Sequence, residues 1–432
     1  MHAQLGDGYE EYVPMGRLMF LGAVPFGFFI GMRSVLDAYY RTPRNGINLM
    51  TGFLLLALVC AAHLLLHTSP FFVGAGLVAV LYVVGWLTWR DVGNIRLQLE
   101  RRSSGDRSLR IVVVIPALEE QVTAYPFARR QAEAFRVRHG ADVHLFYLAS
   151  RTSPLKLLME RRRLKRLLRT VRPDVVHAHY GSVSGLLTVL SSSVPVVIAF
   201  HGSDLNRTPQ DGFLRDLLGR FFSQMAAFFC AGMTCVSERL RERLWWRREE
   251  AVVLPLGVDP EVFEPMDRAQ CREELGWGTE HIVLFNANNP GVKRLDIAEA
   301  TMAHMAAQGM PATLKALKGS VDSDRIPLLL NAADALLLCS DTEGSPTMVK
   351  EAMGCGLPVV ANDVGDVRER TRDVTPGAVV AQDPAQLATA LMEILADGRR
   401  SNGPALLARN GADARVQDAR AFEHLREMAL PG

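Results

Sequence analysis

Beyond residue 110 the chain alternates between short apolar runs and longer stretches whose apolar positions recur at helical spacing. That alternation predicts strands joined by crossover helices, and therefore parallel sheets. In the first half the runs are Ile111–Ile115, Val143–Leu148, Val175–Ala178, Val194–Phe200 and Met233–Val236. The second half repeats the theme with Ile282–Asn286, Ala335–Leu338, Leu357–Val360 and Gly377–Val380. Near-continuous Val and Ile suit strands covered by helices on both faces. Pro255 to Pro265 is the expected hinge between the halves, and the helical tail from residue 406 is placed to cross back. Ligands of such sheets bind beyond the carboxyl ends of the strands, so the residues just after each run are the ones to search.

The first 108 residues follow a different pattern. Ile47–Leu66 and Phe71–Trp89 each lack Lys, Arg, Asp and Glu throughout, and each is long enough to span a bilayer. With the uncharged turn His67–Pro70 between them they predict a transmembrane hairpin. Leu18–Met32 is shorter and interrupted by Gly22, Pro25, Gly27 and Gly31, which leaves open a third span or a re-entrant or interfacial segment. Asp7, Glu10 and Glu11 against the single Arg17 argue against a signal peptide. Arg33, Arg41 and Arg44 lie between the first two segments, and Arg90, Arg96, Arg101, Arg102, Arg107 and Arg110 follow the third. The positive-inside rule then puts both clusters, and everything after residue 90, on the cytoplasmic side. A misassigned chain start is the alternative, because residues 1–100 hold no recognisable catalytic motif.

Composition narrows the class. With 432 residues, 49% of them apolar, the chain is neither disordered nor collagenous and has room for two or three compact units. Its six cysteines are scattered without a C-x-x-C pair, which argues against a disulfide scaffold or a four-cysteine zinc site and fits a reducing compartment. The net charge of +2 conceals an asymmetry: residues 1–108 carry 9 basic and 7 acidic side chains, 109–255 carry 22 and 13, and 256–432 carry 17 and 26. A basic middle favours anionic lipid, diphosphate or nucleic acid. No aromatic stacking platform accompanies it, so no nucleic-acid partner is expected.

The densest chemistry lies at 341–364, DTEGSPTMVKEAMGCGLPVVANDV. A loop follows the strand ending at Leu338, Ser345 and Pro346 open a helix, and Glu351 sits about one and a half turns in. The free N–H groups of such a helix start make an anion site suited to a diphosphate. Glu343 and Glu351, eight apart, can then face one ligand and accept from its hydroxyls. Asp322 and Asp324 resemble a metal-binding Asp-x-Asp, but they directly precede the helical run Ile326–Ala333, where an N-cap role is the simpler reading. His177 and His179 share one strand face; with no third ligand in view, no metal site is assigned.

This block, together with PDVVHAHYG (173–181), VIAFHGSDL (197–205), VSERLRERL (236–244), LPLGVDPEVF (254–263) and GVKRLD (291–296), resembles the retaining glycosyltransferases of family 4. The resemblance covers roughly 110–430 and is greatest to members that extend bacterial cell-surface polysaccharides. It implies a GT-B fold, two Rossmann-like domains facing across a cleft, here preceded by a helical transmembrane region. The domains would be residues 1–108 (membrane), 109–255 (acceptor side) and 256–432 (nucleotide-sugar side). By the same resemblance Glu351 holds the nucleotide ribose, Glu343 contacts the donor sugar near the reacting carbon, and Lys293 neutralises the diphosphate. Backbone of Ser345, Pro346, Thr347 and Met348 binds sugar and phosphate, and His201 stands at the cleft wall. Asn288 occupies a position where the family usually has Arg, so Arg294 is expected to supply the second charge. The usual Gly-rich loop after the first strand is replaced by PALEEQVTAYPF.

The expected activity is therefore transfer of a sugar from a nucleotide diphosphate sugar to a lipid-linked or growing polysaccharide acceptor. It would proceed with retention, without metal or cofactor, at the cytoplasmic face of a bacterial inner membrane. Two rivals are a nucleotide-sugar epimerase of the same fold and a non-catalytic nucleotide-sugar-binding subunit of an assembly complex. Bland readings stand beside the residue roles: Lys293 and Arg294 as a solvated helix start, His201 as a capping or core histidine. The basic amphipathic stretch Pro154–Val171 is either an ordinary sheet-covering helix or a dock for anionic lipid or a lipid diphosphate.

Overall fold

The computed structural model describes residues 13–39, 44–103, 108–121, 124–207, 212–319 and 321–429. Asp7, Glu10, Glu11, Arg41 and Arg107, which entered the topology reading, lie outside the described residues. The chain divides into two compact units, one built mainly of residues before Leu109 and one of Leu109–Ser192 with Val196–Glu427.

The first unit is helical: Val13–Leu21, Ala23–Tyr39, Arg44–Leu66 and Pro70–Ser103. Three segments are long and apolar enough to cross a membrane, Val13–Ala38, Asn45–Leu66 and Pro70–Gly93. The segment left open above thus belongs to a stretch of membrane length. Glycines let the helices approach closely: a Cβ at Gly52 would meet Val84, at Gly76 Val59, and at Gly85 Pro25. A polar pair inside the unit, Asn48 Nδ2 donating to Asp91 Oδ2 at 3.2 Å, ties the third helix to the fourth.

The second unit contains two parallel sheets. The first comprises β1 (Arg110–Ile115), β2 (Asp142–Tyr147), β3 (Val175–His179), β4 (Val196–Phe200), β5 (Gly232–Cys235) and β6 (Val252–Val253), in the order β2-β1-β3-β4-β5-β6. The second comprises β7 (Ile282–Asn286), β8 (Thr313–Leu317), β9 (Ala335–Leu338), β10 (Val359–Asn362) and β11 (Ala378–Val380), in the order β11-β10-β9-β7-β8. In each sheet the direction of winding reverses beside the first strand, between β1 and β3 and between β7 and β9. Such reversals open a crevice at the carboxyl ends.

Both faces of the second sheet are covered, which is why its runs are continuously apolar. Ile282, Leu284, Leu336, Leu338 and Val359 enter one core, and Val283, Phe285, Leu337 and Val360 enter the other. Two strands were not expected from the pattern. Thr313–Leu317 is an edge strand with no fully buried residue and Lys315 at its centre, lying over the Trp277 ring at 5.4 Å, so it lacks an apolar run. Val252–Val253 is only two residues long. Strand β10 starts at Val359 rather than Leu357 because Pro358 has no N–H for the ladder.

A last helix, Ala414–Ala429, returns the chain to the first sheet's helix Pro126–His139. Phe422 lies 5.8 Å from Phe135 and stacks on His139 at 4.3 Å, and Gln131 donates to Asp418 at 3.3 Å.

Candidate functional site

The carboxyl ends of the two sheets converge on one cavity of about 220 Å³. The first half contributes Phe127 from the start of the helix Pro126–His139, and Tyr180 and His201 from just beyond β3 and β4. The second half contributes Asn286 at the end of β7, Lys293, and the run Glu343, Gly344, Ser345, Pro346, Thr347 and Met348 beyond β9.

The helix Thr347–Gly354 starts at the cavity with Pro346 as its N-cap, one position earlier than the first helical turn expected of it. Proline there has no side-chain acceptor, so the first N–H groups of the helix, from Thr347 on, are not capped from within. They give the cavity floor the positive end of a helix dipole. Beneath, Ser345 donates its hydroxyl to Asp366 at 2.6 Å and accepts from the fully buried Lys350 at 2.7 Å. Arg370 pairs with the same Asp366 at 3.1 Å. Burial pulls the Lys350 ammonium down to about 8 against the attraction of Asp366, and pushes the Asp366 carboxyl up. This buried network fixes the loop from which the helix starts.

Lys293 closes a four-residue helix, Pro290–Lys293, and its ammonium pairs with Glu343 across the cavity. Both side chains are mostly covered, at 17% and 13% exposure. Glu351 is half-buried further along the same helix as Met348 and does not line the cavity. Burial pushes its carboxyl up to about 7, opposed by the positive charges of Arg130 and Lys350. Asn288 and Arg294 also lie off the cavity lining. Arg294 pairs with Asp296 at 2.8 Å and Asp341 at 3.0 Å, while the backbone N–H of Asn288 donates to the Asn286 side chain at 3.0 Å.

On the opposite wall His201 Nε2 and His179 Nδ1 share a hydrogen bond at 3.0 Å, and Phe127 packs 4.7 Å from the His201 ring. Burial, with the nearby His177, holds the His201 imidazole down to about 3, so it is neutral at any ordinary pH. The turn carrying it is organised by Asp204, whose carboxylate accepts from the N–H groups of Gly181 (3.0 Å), Gly202 (2.9 Å) and His201 (3.2 Å). The halves touch here directly. A Cβ on Gly344 would fall 1.9 Å from the His201 carbonyl oxygen, and Asn206 Nδ2 donates to the Glu343 carbonyl at 3.1 Å. Arg239 reaches Asp363 at 2.9 Å beside them.

Phe127, Tyr180, Asp204, Asn206 and Gly344 were not singled out from the sequence. The only signal for Asp204 was its place in the HGSD turn. Asp322 accepts the Arg325 N–H through its carbonyl and the Asp324 N–H through its carboxylate, at 3.0 and 3.3 Å, which makes it a turn organiser before the helix Ile326–Ala332.

Comparison with known proteins settles the fold. The family model for Glycosyltransferase Family 4 matches residues 110–262, and that for Glycosyl transferases group 1 matches residues 299–397. The fold, two parallel-sheet Rossmann-like domains, matches that of GT-B glycosyltransferase structures. TuaC of Bacillus subtilis (strain 168), assigned to teichuronic acid biosynthesis, is 26% identical over 260 residues, 54% of this chain and 66% of TuaC. A D-inositol 3-phosphate glycosyltransferase of Xylanimonas cellulosilytica is 28% identical over 271 residues, 53% of this chain and 65% of that protein. The chain thus spans just under two thirds of the length of these relatives. Among solved structures, sucrose-phosphate synthase of Thermosynechococcus elongatus has a TM-score of 0.60 at 17% identity, covering 74% of this chain and 99% of that one. HepE of Anabaena, solved in complex with UDP-glucose, has a TM-score of 0.58 at 17% identity, covering 74% and 100%. At this identity the likeness shows the fold, two Rossmann-like domains of parallel sheet.

Proposed function

We propose that this chain transfers a sugar, with retention of configuration, from a nucleotide diphosphate sugar to a lipid-linked or growing polysaccharide acceptor at the cytoplasmic face of a bacterial inner membrane. The observation that carries the reading is the junction of an uncapped helix start, Thr347 and Met348, with Lys293 and Glu343 in one cavity. A departing diphosphate gains negative charge, and the helix terminus with the Lys293 ammonium is placed to stabilise it. A carboxylate paired with lysine is a poor nucleophile, so Glu343 is read as a contact to the donor sugar rather than the group that attacks it. The acceptor would attack on the face the diphosphate leaves, handing its proton to the leaving phosphate. His201, neutral, would offer the sugar a hydrogen bond from the opposite wall. Glu351 would hold the ribose, and the complex of HepE with UDP-glucose supports a nucleotide sugar in a cleft of this kind.

The membrane side of the reading rests on the three segments of membrane length and on Arg33, Arg90 and Arg96 at their ends. Purified protein in detergent, given a panel of nucleotide sugars and a membrane lipid extract, should consume one donor and form an α-configured or otherwise retained product. A product of inverted configuration, or donor binding without turnover on any acceptor, overturns the reading. A reporter fused after residue 432 should be active only in the cytoplasm; periplasmic activity would contradict the orientation.

A further inference from the structure

The helix Phe213–Phe229 is built inside out. Its buried positions include Asp216, Ser223 and Gln224, whereas Phe213, Leu214, Leu217, Leu218 and Phe221 are exposed, Phe213 by 74% and Leu214 by 66%. At about 100° per residue these five, with the exposed Phe228, fall within one face about 140° wide. An ordinary surface helix points its polar face outward. Here the polar groups are consumed within: Asp216 pairs with Arg220 at 2.8 Å, and Gln224 bonds the backbone of Arg243 and Trp245 at 2.9 Å each. Among the described residues, the apolar side chains of this face stay exposed.

The surroundings say what would cover it. At the far end of the helix Trp245 is 55% exposed, and Phe228 lies 5.4 Å from Trp246. Arg215 stands at the near end, and Arg243 and Arg248 at the far end, all exposed. The short helix Leu186–Ser191 packs beside this one and exposes Leu190, and on its other side stands the basic helix Pro154–Val171, which exposes Leu155 and Met159 among its arginines. Leucine and phenylalanine bordered by tryptophan and arginine, in a half of the chain with a large excess of basic residues, are the composition of a surface that lies in an anionic lipid interface. The segments of membrane length precede this half in the same chain, the last ending at Gly93 ahead of β1 at Arg110, so on the membrane reading a bilayer is the partner the chain itself supplies.

We infer that the helix Phe213–Phe229 seats its apolar face in the headgroup–acyl boundary of an anionic bilayer. The inference rests on the reading that the chain is held at a membrane, but not on sugar transfer. It also has a consequence for the site. The buried side of the helix packs against the Gly181–Gly185 turn that follows Tyr180 of the cavity wall, so a lipid-anchored acceptor would arrive from this half of the cleft.

The test uses the full chain in nanodiscs of phosphatidylglycerol and phosphatidylethanolamine. Cys60 is the one exposed cysteine among six, so a Cys60→Ala background leaves five buried thiols that resist labelling. Nitroxide labels are then placed singly by Leu214→Cys, by Leu218→Cys and, as a water-facing control, by Glu299→Cys, all at exposed positions where the fold is undisturbed. At 214 and 218 oxygen should broaden the spectrum more than a water-soluble nickel chelate, and at 299 the order should invert. Nickel accessibility at 214 and 218 equal to that at 299 would overturn the inference, because the face is then solvated. Shielding from both reagents would overturn it too, because protein, either this chain's own helices or a second copy, then covers the face. Neither result depends on whether the enzyme turns over.

Discussion

Adding one methyl group at Gly344 tests whether the cleft must close as the structure has it. A Cβ built there lies 1.9 Å from the carbonyl oxygen of His201, 2.8 Å from its carbonyl carbon and 3.0 Å from Val236 Cγ2. Reaching even a tight 3.0 Å from that oxygen needs a retreat of about 1.1 Å. Neither side can give way locally. Three backbone N–H groups bind the His201 turn to Asp204, and the Ser345 hydroxyl is held between Asp366 and Lys350. The two halves must therefore part as bodies, moving His201 away from Glu343 by roughly 1 Å, a displacement that can cost on the order of 100-fold in rate. The donor contacts proposed for the second half alone, Lys293 and the start of the Thr347 helix, would remain. Gly344→Ala should accordingly lower kcat far more than it weakens nucleotide-sugar binding, with at most ~1–3 kcal/mol lost in denaturant unfolding. Steady-state donor consumption, calorimetric binding and urea melts on the same preparation separate the three quantities. Wild-type kcat/KM in a folded Gly344→Ala protein would refute the closed contact as the working geometry.

Other outcomes follow from the same site. Glu351→Ala should weaken donor binding by about 2–3 kcal/mol through loss of charge-assisted hydrogen bonds to the ribose, whereas Lys293→Ala should mainly lower turnover, on the order of 100-fold; a folded double variant with unimpaired transfer would dismiss the site. Because burial raises Glu351 to about 7, its carboxylate forms as pH rises through 7, so donor affinity should tighten between pH 6 and 7.5 and be flat in Glu351→Gln. The same shift has the opposite sign for stability: the folded protein holds a proton that the unfolded chain releases near the ordinary Glu value, so this carboxyl's contribution is present at low pH and lost as pH rises through about 7, which pH-dependent melts of the two proteins would show. Asp204→Ala strands three backbone donors and should cost several kcal/mol in a urea melt, at about 1–3 kcal/mol for each group left buried and unpaired; a loss under 1 kcal/mol would mean that water replaces the carboxylate.

Period and punctuation in the chain determine most of the architecture. Strands that lie in the sheet interior, such as Ile282–Asn286 and Ala335–Leu338, must be apolar on both faces and so announce themselves, and a membrane-length helix needs only an uninterrupted apolar stretch. The helix start after Ser345 is equally local, since proline and glycine act on their own backbone. Edge strand Thr313–Leu317 escapes such reading because one side of it meets solvent and tolerates Lys315. What the fold alone decides are pairings between residues far apart in the chain. Lys293 meets Glu343, His179 turns to His201, Arg294 reaches Asp341, and Gly344 lies against the His201 carbonyl. The outward face of Phe213–Phe229 belongs to the same class. Its amphipathic pattern is plain in the residues, and Asp216 finds Arg220 within the helix, but which face is buried depends also on Gln224, whose partners at Arg243 and Trp245 come to it only once the chain has folded.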